Sequence, residues 1–264
     1  SSASDYWVSH AKQFAGEMTD KLSLDMDNLV IELGSNDGYL LSQFQKLGVT
    51  VLGVEPPENT AEIARQAGVP TISKFFGEKL ANDILAEYGH PKLIVVNNVY
   101  AHVPDQQDFT RGMAVLADDS TIITIENPSF DILLKRALFD TIYHEHLRTY
   151  SLKSLIKLFS YYDFTITDVE RGSRYGGNIR VHVTKGKNRP VSENVTALLN
   201  LEENSDLYKL ETYRKFAERV KKAKKDFMNF LLKIKDDGKT IVANSCPGRS
   251  VTLLNYYGVD ADLV

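Results

Sequence analysis

From Asn28 to Asn127 short apolar runs alternate with longer amphipathic ones. "NLVIEL", "VTVLGVE", "LIVVNN" and "STIITIE" are β-branched and bounded by polar or glycine residues, the pattern of strands buried in a parallel sheet. Between them "GYLLSQFQKLG", "ENTAEIARQAG" and "GEKLANDILAEYG" carry apolar residues at helical spacing and stop at Gly48, Gly68 and Gly89, positions suited to helix C-caps. Each parallel crossover needs a covering helix, so the alternation predicts a doubly wound α/β sheet.

Beyond the sheet the pattern changes. "SFDILLKRALFDTIYHEHL" reads as a helix running into a loop, and "SLKSLIKLFSYYD" as a helix opened by Ser151. "FTITDVERGSRYGGNIRVHVTKG" reads as two strands joined through the turn-prone "GSRYGGN", an antiparallel hairpin on the sheet edge. Residues 202–235 predict one long helix rich in Lys and Glu. Acidic residues intersperse its basic run "RKFAERVKKAKK", so a solvated helix face explains it better than an RNA contact. "KTIVANSCPGRSVTLLNYYGVDADLV" predicts a strand, a turn and a helix, the start of a second α/β unit.

Composition narrows the function. Hydrophobic residues at 43% and charged residues at 25% suit a sizeable core, and the formal charge of −4 argues against a general nucleic-acid or membrane-surface partner. No apolar run approaches the roughly 20 residues that span a bilayer. "SSASDYWVSHAKQFA" lacks the apolar core of a signal peptide. The single cysteine, Cys246, leaves no intrachain disulfide and no cysteine-built zinc site. A cytoplasmic protein is the expectation.

"VIELGSNDGYLL" is a strand, a glycine turn and a helix start. Its Glu32-x-Gly34-x-x-x-Gly38 spacing is that of class I S-adenosylmethionine (SAM) methyltransferases, whose fold is Rossmann-like. It differs from the G-x-G-x-x-G that brings a pyrophosphate onto a helix N-terminus. SAM carries an ammonium and a sulfonium, which suit an acidic site, and Gly34 and Gly38 permit close backbone approach. Glu55 ends the second strand, where a carboxylate accepts ribose hydroxyls. The structural alternatives are that Glu55 caps the next helix and that Glu32 pairs with a lysine. Asp37 either caps the first helix or touches the methionine moiety, the cap being favoured. Asn36 belongs to the same turn. Asn97, Asn98 and His102 follow the fourth strand and should face the cleft beyond the strand ends, with a helix begun by Pro104 or Asp105.

"IYHEHLRTYS", at residues 142–151, packs Tyr143, His144, Glu145 and His146 together. Imidazoles and a carboxylate suit zinc or iron, but alternate residues point apart unless a tight turn gathers them, and no further ligand is evident. A proton-transfer station and a polar loop bonded to backbone are the other two readings. The expectation is proton transfer without a metal, with His144 incidental.

The motifs "ELGSNDGYLL", "GVEP", "NNVYAHVPD", "FDTIYHEHLRTYSL", "YGGNIRV" and "TLLNYYG" together resemble the SAM-dependent C-methyltransferases of nucleotide-linked 4-keto-6-deoxyhexoses, from about Tyr6 to Tyr257. The resemblance implies SAM as methyl donor, S-adenosylhomocysteine as product and a nucleotide-sugar as substrate in deoxysugar biosynthesis. It implies proton transfer by His146 and Tyr143 with Glu145 beside them, His146 being favoured as base. Asn98 and His102 match residues lining the sugar pocket, and Asn178 and Arg180 lie in a segment that closes over the site. A carbon beside a ketone becomes nucleophilic only after a base near neutral pKa removes its proton. The enolate then needs donors at its oxygen, for which Tyr143, His102 or Asn98 serve. A carboxylate such as Glu145 would orient the imidazole.

The resemblance divides the chain into a SAM-binding domain (1–185), a helical connector (186–237) and the start of an incomplete C-terminal α/β domain (238–264). Family members add an N-terminal four-cysteine zinc domain and a fuller C-terminal domain with a lysine-glycine turn. The expectation is therefore that a partner chain or further domain completes the substrate site, with Arg249 replacing that lysine as a phosphate contact. Alternative functions are O- or N-methylation of another small molecule, or a partner-dependent SAM-binding module.

Overall fold

The computed structural model describes residues 5–244 and 247–264. Strands β1 (Leu29–Leu33), β2 (Thr50–Val54), β3 (Thr71–Ile72), β4 (Leu93–Asn97), β5 (Ile122–Pro128), β6 (Phe164–Gly172) and β7 (Asn178–Lys185) make, among the described residues, one sheet in the order β3-β2-β1-β4-β5-β7-β6. The first five run parallel, while β7 is antiparallel to both β5 and β6. This is the doubly wound sheet with an antiparallel edge hairpin that the hydrophobic pattern predicts. Order reverses between β1 and β4, the switch point at which open α/β sheets bind ligands.

The period-2 alternation of strand side chains divides the interior in two. Ile31, Leu33, Ile94 and Val96 join one core, with α4 (Glu78–Tyr88), α5 (Gln106–Leu116) and α7 (Leu152–Phe159) contributing Ile84, Met113 and Phe159. Val30, Val51, Leu93 and Val95 point oppositely, into a core with α1 (Asp5–Leu22), α2 (Leu41–Lys46) and α3 (Glu58–Gln66). Burial on both faces is why these strands read as unbroken apolar runs.

Local chemistry sets the helix ends. Asp105 accepts the Asp108 amide at the N-cap of α5, and Ser151 and Ser154 form a reciprocal capping box at α7. After α6 (Phe130–Arg136) the chain turns through Ala137 in the left-handed region and a short 3₁₀ segment, Phe139–Thr141.

Three expectations and one structural alternative need correction. Residues 202–235 are two helices, α8 (Glu193–Asn204) and α9 (Leu210–Asp236), broken where Leu207 drops into a small core with Leu133 and Leu134. Residues 239–244 form no strand. A strand requires a neighbour for its N–H and C=O groups, and none pairs with them among the described residues. The helical half of that expectation does form, as α10 (Gly248–Tyr257); Cys246 lies outside the described residues. Asp37 does not cap the first helix, because α2 starts only at Leu41, with Leu40 at the cap position and no side-chain cap. Nor does Glu55 cap α3, whose N-cap is Pro57.

No helix among the described residues is long and apolar enough to cross a membrane.

Candidate active site

A cleft of 1230 Å³ opens beyond the carboxyl ends of β1, β2 and β4. Its floor begins at Gly34, which has φ +76°, and whose missing Cβ would lie 2.4 Å from Cγ2 of Val99. Both the left-handed backbone and the approach of the loop after β4 demand glycine there. The next residues turn tightly: Asn36 also has positive φ, and its N–H donates to Oε2 of Glu55 at 2.7 Å. Gly38 does not line the cleft. It lets α2 close against Val69 and Ala64, each about 3 Å from where its Cβ would stand.

Three carboxylates gather at this end. Glu32 is 2% exposed, and burial first, then the charges of Glu55 and Asp37, raise its pKa well above the usual carboxylate range. Burial also raises Glu55, opposed by the Asn36 N–H. No lysine pairs with Glu32 among the described residues; its Oε2 is buried without a hydrogen-bond partner, as are Oδ1 of Asn97 and Oδ1 of Asn98. Clustered carboxylates and unsatisfied acceptors beside a glycine turn fit a cationic nucleoside such as SAM. Phe76 and the 85% exposed Phe75, with Pro56 and Pro57, supply an apolar wall beyond Glu55.

The other end of the cleft holds His102, Glu145, Trp7 and Arg174 with Asn98. Burial, then the neighbouring His146, lower the His102 pKa, with Glu145 opposing. The His102 and His146 rings meet edge-on at 4.9 Å, and the Tyr143 ring lies 4.3 Å from His146. Nδ1 of His146 is 2.8 Å from the Thr141 carbonyl. A carbonyl only accepts, so in the neutral ring Nδ1 carries the proton and Nε2 a lone pair. The Tyr143 hydroxyl, 3.2 Å away, then donates to Nε2. Burial raises the phenol's pKa, Glu145 adds to that push and Arg249 opposes it.

Thr141, not Glu145, therefore orients the imidazole, contrary to expectation. Glu145 points to the cleft and stands 3.9 Å from His144, whose side chain is 85% exposed. The tight turn at 143–146 separates the two histidines instead of gathering them. Leu147 N–H donates to Ala101 O at 3.1 Å and Arg148 to Val103 O at 2.6 Å, lacing this loop to the one that carries His102.

Asn178 and Arg180 stand apart from the cleft lining. On β7, Arg180 sits opposite Glu126 of β5 and Glu170 of β6. Glu126, 1% exposed, accepts from Arg174, from Nδ2 of Asn178 at 2.5 Å and from Arg180 at 2.7 Å. Helix α1 covers this polar face, laying Phe14 against the Arg180 guanidinium at 4.4 Å and His10 against its Nη2 at 3.4 Å. Sequence reasoning missed Glu126, Arg174 and Trp7. The signal was the alternating polar set Asn178, Arg180, His182 on a strand whose other face carries Ile179, Val181 and Val183.

Residues 7–169 match a family described as a methyltransferase domain, and residues 173–264 match the C-methyltransferase C-terminal domain. The C-methyltransferase NovU of Streptomyces niveus is 30% identical over 253 residues, covering 96% of this chain and 60% of that protein; the chain thus spans about three fifths of that curated relative. Among solved structures, a SAM-dependent methyltransferase from Clostridium acetobutylicum superposes with a TM-score of 0.52 at 13% identity, over 69% of this chain and 93% of that one. One from Anabaena variabilis gives 0.51 at 12% identity, over 65% and 83%. These likenesses establish the fold.

Proposed function

This chain belongs to the SAM-dependent methyltransferases of the C-methyltransferase family, and from that premise we propose that it methylates a carbon beside the ketone of a nucleotide-linked 4-keto-6-deoxy sugar. One observation carries the reading: the Tyr143 hydroxyl on Nε2 of His146, with Nδ1 held by the Thr141 carbonyl, the pair standing behind His102, which lines the cleft where they themselves do not.

SAM, when bound, supplies the methyl group on a sulfonium. Glu32, Asn36, Glu55 and Asn97 would hold it, with Gly34 giving its backbone close approach and Asp37 adding negative charge nearby. Asn98, His102 and Glu145 remain for the sugar. The Thr141 carbonyl keeps the Nε2 lone pair of His146 available, and that lone pair accepts the proton lost from the carbon beside the ketone. Tyr143, donating to Nε2 in the resting site, swings its hydroxyl to the ketone oxygen as that oxygen gains charge. His102, kept neutral by burial and its histidine neighbour, retains an N–H to donate to the same oxygen. Glu145 faces the sugar hydroxyls rather than the imidazole.

Incubation with SAM and a panel of dTDP- and GDP-linked 4-keto sugars, followed by mass spectrometry, tests this. The expected result is a 14-dalton gain on one of them, with deuterium exchange at the carbon beside the ketone before transfer. SAM binding without methyl gain or exchange on any keto sugar would count against it, and methyl gain on oxygen or nitrogen would replace it.

A further inference from the structure

The loop that carries Tyr143 and His146 has little to hold it. Residues 142–149 form no regular element, and Ile142 and Leu147 are exposed, so few apolar contacts oppose local opening. Its far side is tied by Leu147 and Arg148 to the loop after β4. Its near side, residues 139–143, is held by α10.

That contact has four parts. Nε of Arg249 donates to Oδ2 of Asp140 at 2.7 Å, with the aspartate side chain 17% exposed. Thr252 Oγ1 donates to the Ile142 carbonyl at 3.1 Å. Tyr256 and Tyr257 each bring a ring to within 5.3 Å of Phe139. Gly248 lies against the Tyr143 ring, where a Cβ would stand 3.6 Å from Cε2. The guanidinium expected to meet a phosphate is thus engaged by a carboxylate one residue from Thr141, whose carbonyl sets the His146 tautomer.

We propose that Asp140 and Arg249 are positioning residues for the Tyr143–His146 pair: their ion pair seats α10 on the loop and keeps the imidazole against the Thr141 carbonyl. α10 lies in the segment matching the C-methyltransferase C-terminal domain, and the loop in the segment matching the methyltransferase domain. The clamp therefore makes proton transfer in one depend on docking of the other. The catalytic consequence, though not the clamp itself, rests on the function proposed above.

The test uses Arg249→Met, Asp140→Asn and the conservative Arg249→Lys, with two readouts. In ¹⁵N-histidine spectra, His146 of the parent protein should report a single tautomer protonated at Nδ1. The Met and Asn variants should average the two tautomers, and Lys should retain the parental one. Turnover of the keto sugar should fall on the order of 10²-fold in Met and Asn, as for a misplaced catalytic group, while SAM affinity, which also reports folding, stays parental. An unchanged tautomer in both charge-removing variants overturns the proposal, whether or not turnover falls. A parent protein that methylates no keto sugar, with the tautomer still responding to Arg249, defeats the proposed function and leaves the clamp standing.

Discussion

Nη2 of Arg180 meets Oε2 of Glu126 at 2.7 Å across the β5–β7 ladder, beneath α1 and away from the cleft lining. Arg174 and Asn178 use the other carboxylate oxygen. Removing one partner of a buried pair strands the other charge at a cost of about 3–5 kcal/mol. Glu126→Ala should therefore strip the buried Arg174 guanidinium of its carboxylate, leave Arg180 with only the half-exposed Glu170, and destabilise the fold by that amount in urea. Arg180→Ala, with Glu126 still served by Arg174 and Asn178, should cost less. If either variant unfolds as the parent does, the cluster is not structural.

Gly34 answers a different demand. With φ +76° and Val99 where its Cβ would be, Gly34→Ala must either distort the turn or push back the loop of Asn98. SAM affinity should fall by at least about tenfold, the equivalent of roughly 1.4 kcal/mol, measured by calorimetry. Parental affinity would show that the turn does not form the nucleoside floor.

On the proposed reading Tyr143 and His146 serve the substrate side only. His146→Ala and Tyr143→Phe should each lower kcat by about 10²–10⁴-fold, the usual share of general acid–base catalysis, with little change in SAM affinity. His144→Ala, an exposed side chain, should be neutral. A large loss from His144 with none from His146 would reverse the assignment.

Glu32 makes stability depend on pH. Its pKa is raised in the folded state by burial and by Glu55 and Asp37. Below the ordinary glutamate pKa of about 4.3 the residue is neutral in both states and the fold is unpenalised. As pH rises beyond that value the unfolded chain releases the proton first, so stability is lost up to the raised folded pKa. Melting temperature of the ligand-free protein should fall over that window, and Glu32→Gln should flatten the fall. A cationic ligand such as SAM should oppose it. Equal slopes for parent and Glu32→Gln would sink the account.

Every strand but the two-residue β3, most helices and the glycine turn of the cleft were legible in the chain because their causes are local. Alternation places Ile31 and Val30 in opposite cores whatever lies far away in sequence. A glycine turn after the first strand puts Gly34 and Asn36 at the strand end, where ligands bind. β-Strand alternation likewise put Asn178 and Arg180 on one face, but not which face the molecule would need. The β5–β7 register made Arg180 a partner of Glu126, and packing of α1, an element with no sharp sequence signal, covered that face.

The chain alone dictated a doubly wound sheet with an edge hairpin, the glycine turn after its first strand and the residue types available for proton transfer. Tertiary structure decided their assignments. It gave the His146 imidazole to the Thr141 carbonyl instead of Glu145, brought His102 against it across forty-odd residues, and set Asp140 on Arg249. The reason is physical. A side chain's face follows from its backbone period, whereas its partner depends on which distant segment folds against it, and loops without a period leave that choice to packing.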